Sequence, residues 1–306
     1  MKLSAIIPTH NRPLLLRRCL ETLRSQEVDP SSLEVVVVDD GSRADMRALV
    51  GEAAAGGPIQ MRCERQDLAG LNAARNRGVA ASEGTVLAFL DDDTRVCPGW
   101  ATALLDAFRD PECAGVGGKV ELDLGSPAPP WLEGRTQYLA EYDLGLEPRW
   151  LEWDPLAGGD PLPVGANCAV RRSAFDQVGG FRPGLDRLGG SLVSNGDTDF
   201  FRRLRTSGAA LRYEPGARVL HYVPPERLTV SYFLRRQYAQ GVSDELLLAQ
   251  RGQPFNWRHR LGLARMLVRN AKMLCTDVVG GRGRTSGLIE ISYWVGRYAG
   301  TRRPEA

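Results

Sequence analysis

Three short apolar runs in the first 90 residues place the strongest constraint on the fold of this chain. Residues 3–7, 33–38 and 85–90 are apolar almost throughout, and each run stops abruptly at polar residues. Side chains with helical spacing follow the runs, for example in residues 13–23 and 46–55. Short, fully apolar strands that alternate with helices are typical of a parallel sheet covered on both faces. The pattern therefore predicts an α/β fold.

The polar residues at the three strand ends predict a ligand site. They are residues 8–12, 39–42 and 91–93, and the last of these is a run of three aspartates. The carboxyl ends of parallel strands share one edge of the sheet, where α/β folds bind ligands. A divalent cation on Asp91 and Asp93 would neutralise a diphosphate, whereas an Asp-rich turn or a helix cap is the structural alternative. We expect a site for a nucleoside diphosphate.

Bulk composition excludes several other classes. The 306 residues carry a net charge of +2, which does not indicate a nucleic-acid partner. Six scattered cysteines without a CxxC pair favour a reducing compartment over a disulfide framework or a zinc ribbon. The N-terminal apolar stretch is too short for a signal peptide, and no run of about 18 apolar residues predicts a transmembrane helix. We expect a cytoplasmic protein.

The C-terminal segment differs in charge from the rest of the chain. Residues 251–306 hold eleven basic and three acidic side chains, a net +8, which leaves −6 for residues 1–250. Arginines mixed with Leu and Trp are typical of an amphipathic helix that lies on anionic lipid. A helical cap with a solvated basic face is the alternative. We favour a peripheral contact with the inner face of the membrane.

Six ordered motifs resemble the GT-A fold glycosyltransferases, specifically the large inverting family 2. The motifs are Ile6-Ile7-Pro8-Thr9-His10-Asn11-Arg12, Val36-Val37-Val38-Asp39-Asp40-Gly41-Ser42, Gly70-Leu71-Asn72-Ala73-Ala74-Arg75-Asn76-Arg77-Gly78, Phe89-Leu90-Asp91-Asp92-Asp93, Gly165-Ala166-Asn167 and Asn195-Gly196-Asp197-Thr198-Asp199-Phe200. The likeness covers about residues 1–225. It implies a Rossmann-like, mostly parallel sheet flanked by helices, with a C-terminal helical extension.

The resemblance also implies a division of the chain and a role for many residues. Residues 1–110 would form the nucleotide-sugar-binding half, 111–225 the acceptor-binding and catalytic half, and 226–306 a basic helical extension. The donor would be bound by Pro8, Thr9, Asn11, Arg12, Asp39, Asp40, Asn72, Arg75, Asn76 and Asp91. The metal ion would be held by Asp91, Asp93 and His221. No role is assigned to Asp92, and a lone histidine at a strand end is often only structural.

The catalytic base of the family corresponds to Asp197. Its motif is usually Glu-Asp, but Gly196 stands at the first position here. Asp199 is an alternative base, and a helix cap is the structural alternative for Asp197. The acceptor would be bound by Asn167, Trp131 and Asp199, although Trp131 could equally pack in the core.

These residues together describe a metal-dependent inverting glycosyltransferase that uses Mn²⁺ or Mg²⁺. The donor would be a UDP, GDP or dTDP sugar, and the acceptor a hydroxyl of a polysaccharide, a glycolipid, another lipid-linked sugar or a natural product. A general base would take the proton of that hydroxyl while the cation stabilises the leaving diphosphate. One rival is a catalytically altered sugar-nucleotide-binding protein. A sugar-nucleotide pyrophosphorylase is less favoured, because it needs a Gly-rich basic loop after the first strand, which residues 8–12 are not.

Overall fold

The structure is a computed structural model that describes residues 1–154, 158–186, 191–250 and 282–301. Within these ranges the helices are α1 (Pro13–Arg24), α2 (Met46–Ala55), α3 (Leu71–Ala81), α4 (Trp100–Ala107), α5 (Arg172–Val178), α6 (Gly196–Thr206), α7 (Val230–Ala249) and α8 (Arg282–Gly300). The strands are β1 (Leu3–Thr9), β2 (Leu33–Asp40), β3 (Gln60–Gln66), β4 (Val86–Leu90), β5 (Thr94–Val96), β6 (Cys113–Leu124), β7 (Arg149–Trp150), β8 (Trp153–Asp154), β9 (Gly158–Gly159), β10 (Asn167–Arg171) and β11 (Ala210–Val223).

One mixed sheet organises the fold. Its order is β3-β2-β1-β4-β10-β6-β11-β5, and β7 pairs with β11. β1 pairs in parallel with β2 and β4, as the three apolar runs predicted, and β2 also pairs in parallel with β3. β10 then lies antiparallel between β4 and β6, and β5 and β7 are antiparallel to β11. The predicted α/β class is confirmed, with a parallel half followed by strands of mixed direction.

The second strand shows why the parallel half is so apolar. Val35 and Val37 pack into the main core with α1 and α2, whereas Val36 and Val38 contact Ala74 of α3 on the other face. All four valines are fully buried, and each contributes about 1.5–3 kcal/mol relative to an exposed side chain. Because helices cover both faces, the four consecutive valines of this strand are all buried.

Helix α3 begins later than the spacing of its side chains suggests. The sequence predicts a helix from residue 69, but the structure begins it at Leu71, after Gly70 with φ of 99°. The Asp40 carboxylate accepts hydrogen bonds from the backbone amides of Ala69 at 2.8 Å and Gly70 at 3.0 Å. These bonds hold the turn before the helix, and the positive φ favours glycine. Asp40 thus places α3 against the end of β2.

The chain divides into two compact units. The first comprises Met1–Asp123, Leu139–Pro183 and Gly196–Tyr222, and the second comprises Leu124–Tyr138, Gly184–Asn195 and Val223–Ala306. The borders that we predicted after residues 110 and 225 stay predictions. Of the predicted basic segment, residues 251–306, the stretches 251–281 and 302–306 lie outside the described residues.

In the second unit, α7 and α8 pack backbone against backbone through glycines. A Cβ at Gly241 would lie 2.0 Å from Tyr293 O, and one at Gly296 would lie 1.9 Å from Tyr238 O. Glycine is therefore required at both positions. Among the described helices, none is long and apolar enough to cross a membrane.

A buried carboxylate on β2 ties the opposite end of the parallel strands together. Glu34 is fully buried and accepts hydrogen bonds from Ser4 Oγ at 2.6 Å, the Glu83 amide at 2.6 Å and Arg62 at 2.8 Å. Burial alone would raise the pKa of Glu34, but these hydrogen bonds and the Arg62 charge outweigh it and lower the pKa to about 2. Glu34 therefore stays ionised and supports the fold.

We expect Glu34→Gln to lower the free energy of unfolding by about 3 kcal/mol at neutral pH, because it leaves Arg62 without its buried partner. The folded pKa lies below the value of 4.5 for the free group, so this stabilisation is complete above that pH. It is lost as the pH falls towards 2. Denaturant unfolding at several pH values measures the gap between wild type and variant.

Glu52→Gln is the matched control, because Glu52 forms an exposed ion pair with Arg17. We expect it to change stability by less than about 1 kcal/mol. A gap between wild type and Glu34→Gln that stays constant from pH 7 to pH 3 would contradict the assignment.

Candidate active site

The three polar strand ends lie together at one edge of the sheet. Thr9 Oγ1, at the end of β1, donates a hydrogen bond to Asp92 Oδ2 at 2.8 Å. The backbone amide of Asn11 donates to Ser42 Oγ, after β2, at 2.8 Å. The parallel pairing of β1 with β2 and β4 produces these contacts. The predicted convergence of the strand ends is therefore present.

A group of three possible metal ligands lies at this edge. One ligand atom each from Asp91, Asp93 and His221 lies within 4.8 Å of the other two. His221 Nε2 is 3.2 Å from Asp93 Oδ1, and both side chains are buried. The antiparallel pairing of β5 and β11 sets His221 opposite Thr94, and the Tyr222 amide donates to Asp93 O at 2.9 Å.

The donor set of this group fits a divalent cation. Two carboxylates and one imidazole offer hard oxygen ligands and a borderline nitrogen, which several divalent metals accept. Asp91 is about one third exposed, with 31% of its side chain accessible, so the group is open on one side. The residues could thus hold a metal ion, and they do not by themselves identify it.

The middle aspartate of the triplet has a clear structural role that the sequence analysis missed. Asp92 is buried and accepts hydrogen bonds from Thr9 and, at 3.0 Å, from Arg12. Burial raises the pKa of Asp92 to about 6, although Arg12 opposes the rise. Arg12 also donates to Asp93 Oδ2 at 3.1 Å.

Arg12 therefore faces the acids rather than open solvent. Burial alone would lower the pKa of Arg12, but Asp92 and Asp93 raise it above its ordinary value. The guanidinium stays charged and holds the two carboxylates in place. A contact of Arg12 with the donor stays a prediction.

The other predicted donor residues of β1 and β2 form the turns at the strand ends. Pro8 is buried opposite Val38. Asp39 accepts hydrogen bonds from the Ser42 amide at 2.8 Å and from Arg65 at 2.6 Å. Asn11, with φ of 56°, accepts a hydrogen bond from the Arg43 amide at 2.8 Å through Oδ1. Asp39 and Arg65 together offer both acceptors and donors at this edge.

Two asparagines on α3 anchor the segment after α5. Asn72 Nδ2 donates to Arg182 O at 2.6 Å. Asn76 donates to Phe181 O at 2.8 Å and accepts from the Phe181 amide at 3.0 Å, which uses both ends of its amide. This geometry does not suit direct donor binding by Asn76. A donor contact of Asn72 stays a prediction.

Arg75, on the same helix, is almost completely buried. Its side chain is 4% exposed and its Nη2 lies 3.5 Å from Asp91 Oδ1 and 3.2 Å from Gly165 O. The guanidinium carbon lies 5.2 Å from the centre of the Phe181 ring. Arg75 therefore contacts Asp91 and the Gly165 backbone, and a donor contact of Arg75 stays a prediction.

The predicted base lies in the first turn of α6. Asp197 is half-buried, and its Oδ2 accepts a hydrogen bond from the Gly165 amide at 2.8 Å. A Cβ at Gly196 would lie 2.4 Å from the Asn72 amide nitrogen and oxygen. The departure of Gly196 from the usual Glu-Asp motif thus has a steric reason, because Asn72 occupies the space of a side chain.

Asp199 lies in a different environment from Asp197. It is 1% exposed, and its carboxylate accepts a hydrogen bond from Arg203 Nε at 2.8 Å and lies 3.5 Å from Arg182. A carboxylate committed to two arginines in the interior is poorly suited to take a proton or to bind an acceptor. The geometry does not favour the predicted acceptor role of Asp199.

The two other predicted acceptor residues also have packing roles. Asn167 donates hydrogen bonds to Lys119 O at 3.0 Å and Ala217 O at 2.7 Å and accepts one from Trp100 Nε1 at 2.9 Å. These hydrogen bonds connect its strand to neighbouring elements inside the protein. This buried geometry does not suit acceptor binding. Trp131, in the second unit, packs edge-on against Phe233 with ring centres 4.8 Å apart. Its acceptor role stays a prediction.

Known proteins resemble this chain in sequence. The family model described as Glycosyl transferase family 2 matches residues 4–179, more than half of the chain. The succinoglycan biosynthesis protein ExoM of Rhizobium meliloti (strain 1021) is 29% identical over 261 residues, which cover 84% of this chain and 78% of ExoM. A glucosyl-dolichyl phosphate glucuronosyltransferase of Haloferax volcanii is 24% identical over 257 residues, covering 81% of this chain and 77% of that protein.

Solved structures resemble it in fold. The mannosyltransferase PcManGT of Pyrobaculum calidifontis, solved in complex with GDP-Man and Mn²⁺, superposes with a TM-score of 0.62. The match covers 98% of this chain and 86% of that one at 16% sequence identity. Such neighbours have the GT-A fold, which is therefore the fold of this chain.

Proposed function

The chain belongs to glycosyl transferase family 2 and is a glycosyltransferase, and we propose that it moves a sugar from a nucleoside diphosphate to a hydroxyl acceptor, with a divalent metal and with inversion at the anomeric carbon. The observation that carries this proposal is the group formed by Asp91, Asp93 and His221 at the edge of the sheet. It supports a cation at the point where a diphosphate would bind. The PcManGT complex with GDP-Man and Mn²⁺ supports the same class of donor and metal.

The leaving group needs positive charge, because negative charge accumulates on the departing diphosphate. A cation held by Asp91, Asp93 and His221 would supply Lewis-acid stabilisation of that charge. Arg12 keeps Asp93 oriented through its hydrogen bond to Oδ2, while His221 faces Oδ1. These side chains support a diphosphate site at this edge of the sheet.

The acceptor hydroxyl needs a base, and we assign that role to Asp197. A sugar or lipid hydroxyl has too high a pKa to attack without losing its proton as the bond forms. Asp197 is half-buried, while Asp199 is paired in the interior, so Asp197 is the accessible carboxylate of the two. Backbone amides donate to both of its oxygens, that of Gly165 to Oδ2 and that of Thr198 to Oδ1, each at 2.8 Å, and so orient the carboxylate. A remaining lone pair of this carboxylate would take the proton.

One base on the acceptor side and one charged site on the leaving-group side suit a single in-line displacement. Such a displacement inverts the configuration of the anomeric carbon and requires no covalent sugar intermediate. The proposed donor is a UDP, GDP or dTDP sugar. The proposed acceptor is a polysaccharide, a lipid-linked sugar or a natural product.

A thermal-shift screen tests the donor site. Wild-type protein is heated with UDP, GDP, dTDP and their sugars, with Mn²⁺ or with a chelator. At a ligand concentration of 100 times Kd, binding stabilises the folded state by about 2.7 kcal/mol, a rise of several degrees in Tm. We expect such a rise for one nucleotide only when Mn²⁺ is present. A protein whose Tm responds to no nucleotide would not have this function.

We further propose that the basic C-terminal segment contacts an anionic membrane surface. The support is the net charge of +8 in residues 251–306 and the lipid-linked substrate in the name of the Haloferax relative. In the full-length chain, five basic residues would be changed to Gln: Arg258, Arg260, Arg265, Arg269 and Lys272. Each is worth about 1 kcal/mol near an anionic surface, so binding to phosphatidylserine vesicles should fall by at least about tenfold.

Co-sedimentation with vesicles measures this binding, and neutral phosphatidylcholine vesicles are the control. Equal binding of the wild type and the fivefold variant to anionic vesicles would contradict a membrane role for the segment.

A further inference from the structure

Arg75 and Gly165 connect the two parts of the proposed active site. Arg75 Nη2 lies 3.5 Å from Asp91 Oδ1, on the leaving-group side, and 3.2 Å from Gly165 O. The backbone amide of the same glycine donates to Asp197 Oδ2, the proposed base, at 2.8 Å. The contacts therefore run without a gap from Asp91 through Arg75 and Gly165 to Asp197.

Gly165 is suited to this place because it has no side chain. A Cβ there would lie 2.4 Å from Arg75 Nη2 and 3.0 Å from its guanidinium carbon. Any larger residue would push Arg75 away from the Gly165 carbonyl. Gly165 can then present its carbonyl oxygen to Arg75 while its backbone amide donates to Asp197.

The burial of Arg75 separates it from the other arginines of the region. Its side chain is 4% exposed and lies over Phe181, whereas Arg77, two residues later on α3, is 45% exposed and pairs with Glu64. A buried guanidinium held by a carboxylate, a carbonyl and an aromatic ring has little freedom to reach a donor phosphate. Its contacts instead fix the groups around it.

We propose that Arg75 is a positioning residue, which through Gly165 holds the base Asp197 in a fixed relation to Asp91. The proposal rests on the proposed function, because it takes Asp197 as the base and Asp91 as a group of the leaving-group side. Reacting groups must be held to within about 0.5 Å of the productive geometry, and an error of 1 Å costs up to about 100-fold in rate. Arg75 supplies this constraint without touching the substrate.

Steady-state kinetics of nucleoside diphosphate release distinguish positioning from donor binding. The probe is the donor sugar nucleotide that gives activity with wild type in the presence of Mn²⁺. We expect Arg75→Gln to lower kcat by about 10- to 100-fold with the donor KM unchanged within about twofold, the pattern of an interaction that acts in the transition state. A raised donor KM with an unchanged kcat would instead make Arg75 a donor ligand and overturn the proposal.

Two further variants guard against a general effect on folding. Gly165→Ala displaces the Arg75 guanidinium without changing the arginine itself, and it should reproduce the loss of kcat at a constant donor KM. Arg77→Gln is the matched control, with the same substitution on the same helix at an exposed position, and it should leave both parameters unchanged. A normal kcat in folded Gly165→Ala would contradict the proposal that Arg75 acts on Asp197 through Gly165.

A double-mutant cycle in thermal stability tests the contacts from Arg75 through Gly165 to Asp197 without an activity measurement. Tm is measured for wild type, Arg75→Gln, Asp197→Ala and the double variant, because alanine removes the oxygen that accepts the Gly165 hydrogen bond. Effects at sites that share a partner are not additive, so the loss in the double variant should differ from the sum of the single losses by about 1–2 °C or more. Additive losses would overturn the proposal. If no donor supports activity, the proposed function fails. This cycle still decides whether Arg75 and Asp197 are coupled through Gly165.

Discussion

Asp197→Asn should lower kcat by about 10²–10⁴ while donor and metal binding stay as in wild type. The amide keeps the size of the carboxylate, and its oxygen can still accept the hydrogen bond from the Gly165 amide. It cannot take a proton from an acceptor hydroxyl, and general-base catalysis contributes a factor of this size. Nucleotide-dependent thermal shift and steady-state kinetics measure the two properties separately.

Asp199→Asn is the matched control for this substitution. Asp199 lies two residues away and is paired with Arg203 and Arg182 in the interior. We expect it to lower Tm, because it breaks a buried ion pair, and to leave kcat of the folded protein within about tenfold of wild type. An inactive Asp199→Asn beside an active Asp197→Asn would reverse the assignment of the base. Loss of donor binding in Asp197→Asn would instead assign Asp197 a role in donor binding.

Asp93→Asn should weaken Mn²⁺ binding by about 100-fold or more and lower donor-dependent activity by a similar factor. Asp93 belongs to the proposed metal group, with His221 Nε2 at 3.2 Å and Asp91 in the same cluster. Substitution of residues that only hydrogen-bond to metal ligands lowers metal affinity by about 10- to 100-fold. The loss of a charged ligand should therefore lower the affinity by at least that factor. Isothermal titration of the protein with Mn²⁺ measures the affinity directly.

Asp123→Asn provides a comparison for this effect. Asp123, on β6, forms a partly exposed ion pair with Arg95 and is not part of the metal group. We expect its Mn²⁺ affinity to equal that of wild type. If Asp93→Asn bound Mn²⁺ as tightly as wild type, the metal site would have to lie elsewhere.

The sequence predicted the parallel half of the fold because the information there is local. β1, β2 and β4 are short apolar runs, and the runs come in chain order with helices between them. Thr9 and Asp92 are 83 residues apart, but the edge that they share follows from the parallel arrangement alone. Strand ends in such a sheet can therefore be placed without knowing any side-chain contact.

The roles of several conspicuous polar residues could not be predicted in this way. Asn76 binds Phe181, 105 residues later, and Asn167 binds Lys119, Trp100 and Ala217. An asparagine in a motif looks the same whether it faces a ligand or the protein backbone. Only the position of a distant segment decides between the two, and periodicity carries no information about that position.

Gly196 and Gly165 show the same limit for residues without side chains. At Gly196 the sequence showed only a departure from a familiar motif, which left room for a loss of activity. The structure accounts for it through Asn72, whose amide fills the space next to Gly196. Nothing in the sequence indicated that Gly165 contacts both Arg75, through its carbonyl oxygen, and Asp197, through its amide, because these contacts join three separate parts of the chain.

The most direct test of metal-dependent sugar transfer is the release of nucleoside diphosphate from a panel of UDP, GDP and dTDP sugars. Wild type and Asp197→Asn are compared with Mn²⁺ and with a chelator in place of the metal. We predict that wild type releases the diphosphate from at least one donor in Mn²⁺, that the chelator stops the release, and that Asp197→Asn releases at least about 100-fold less. Equal release with the chelator, or equal release by Asp197→Asn, would contradict the proposed mechanism.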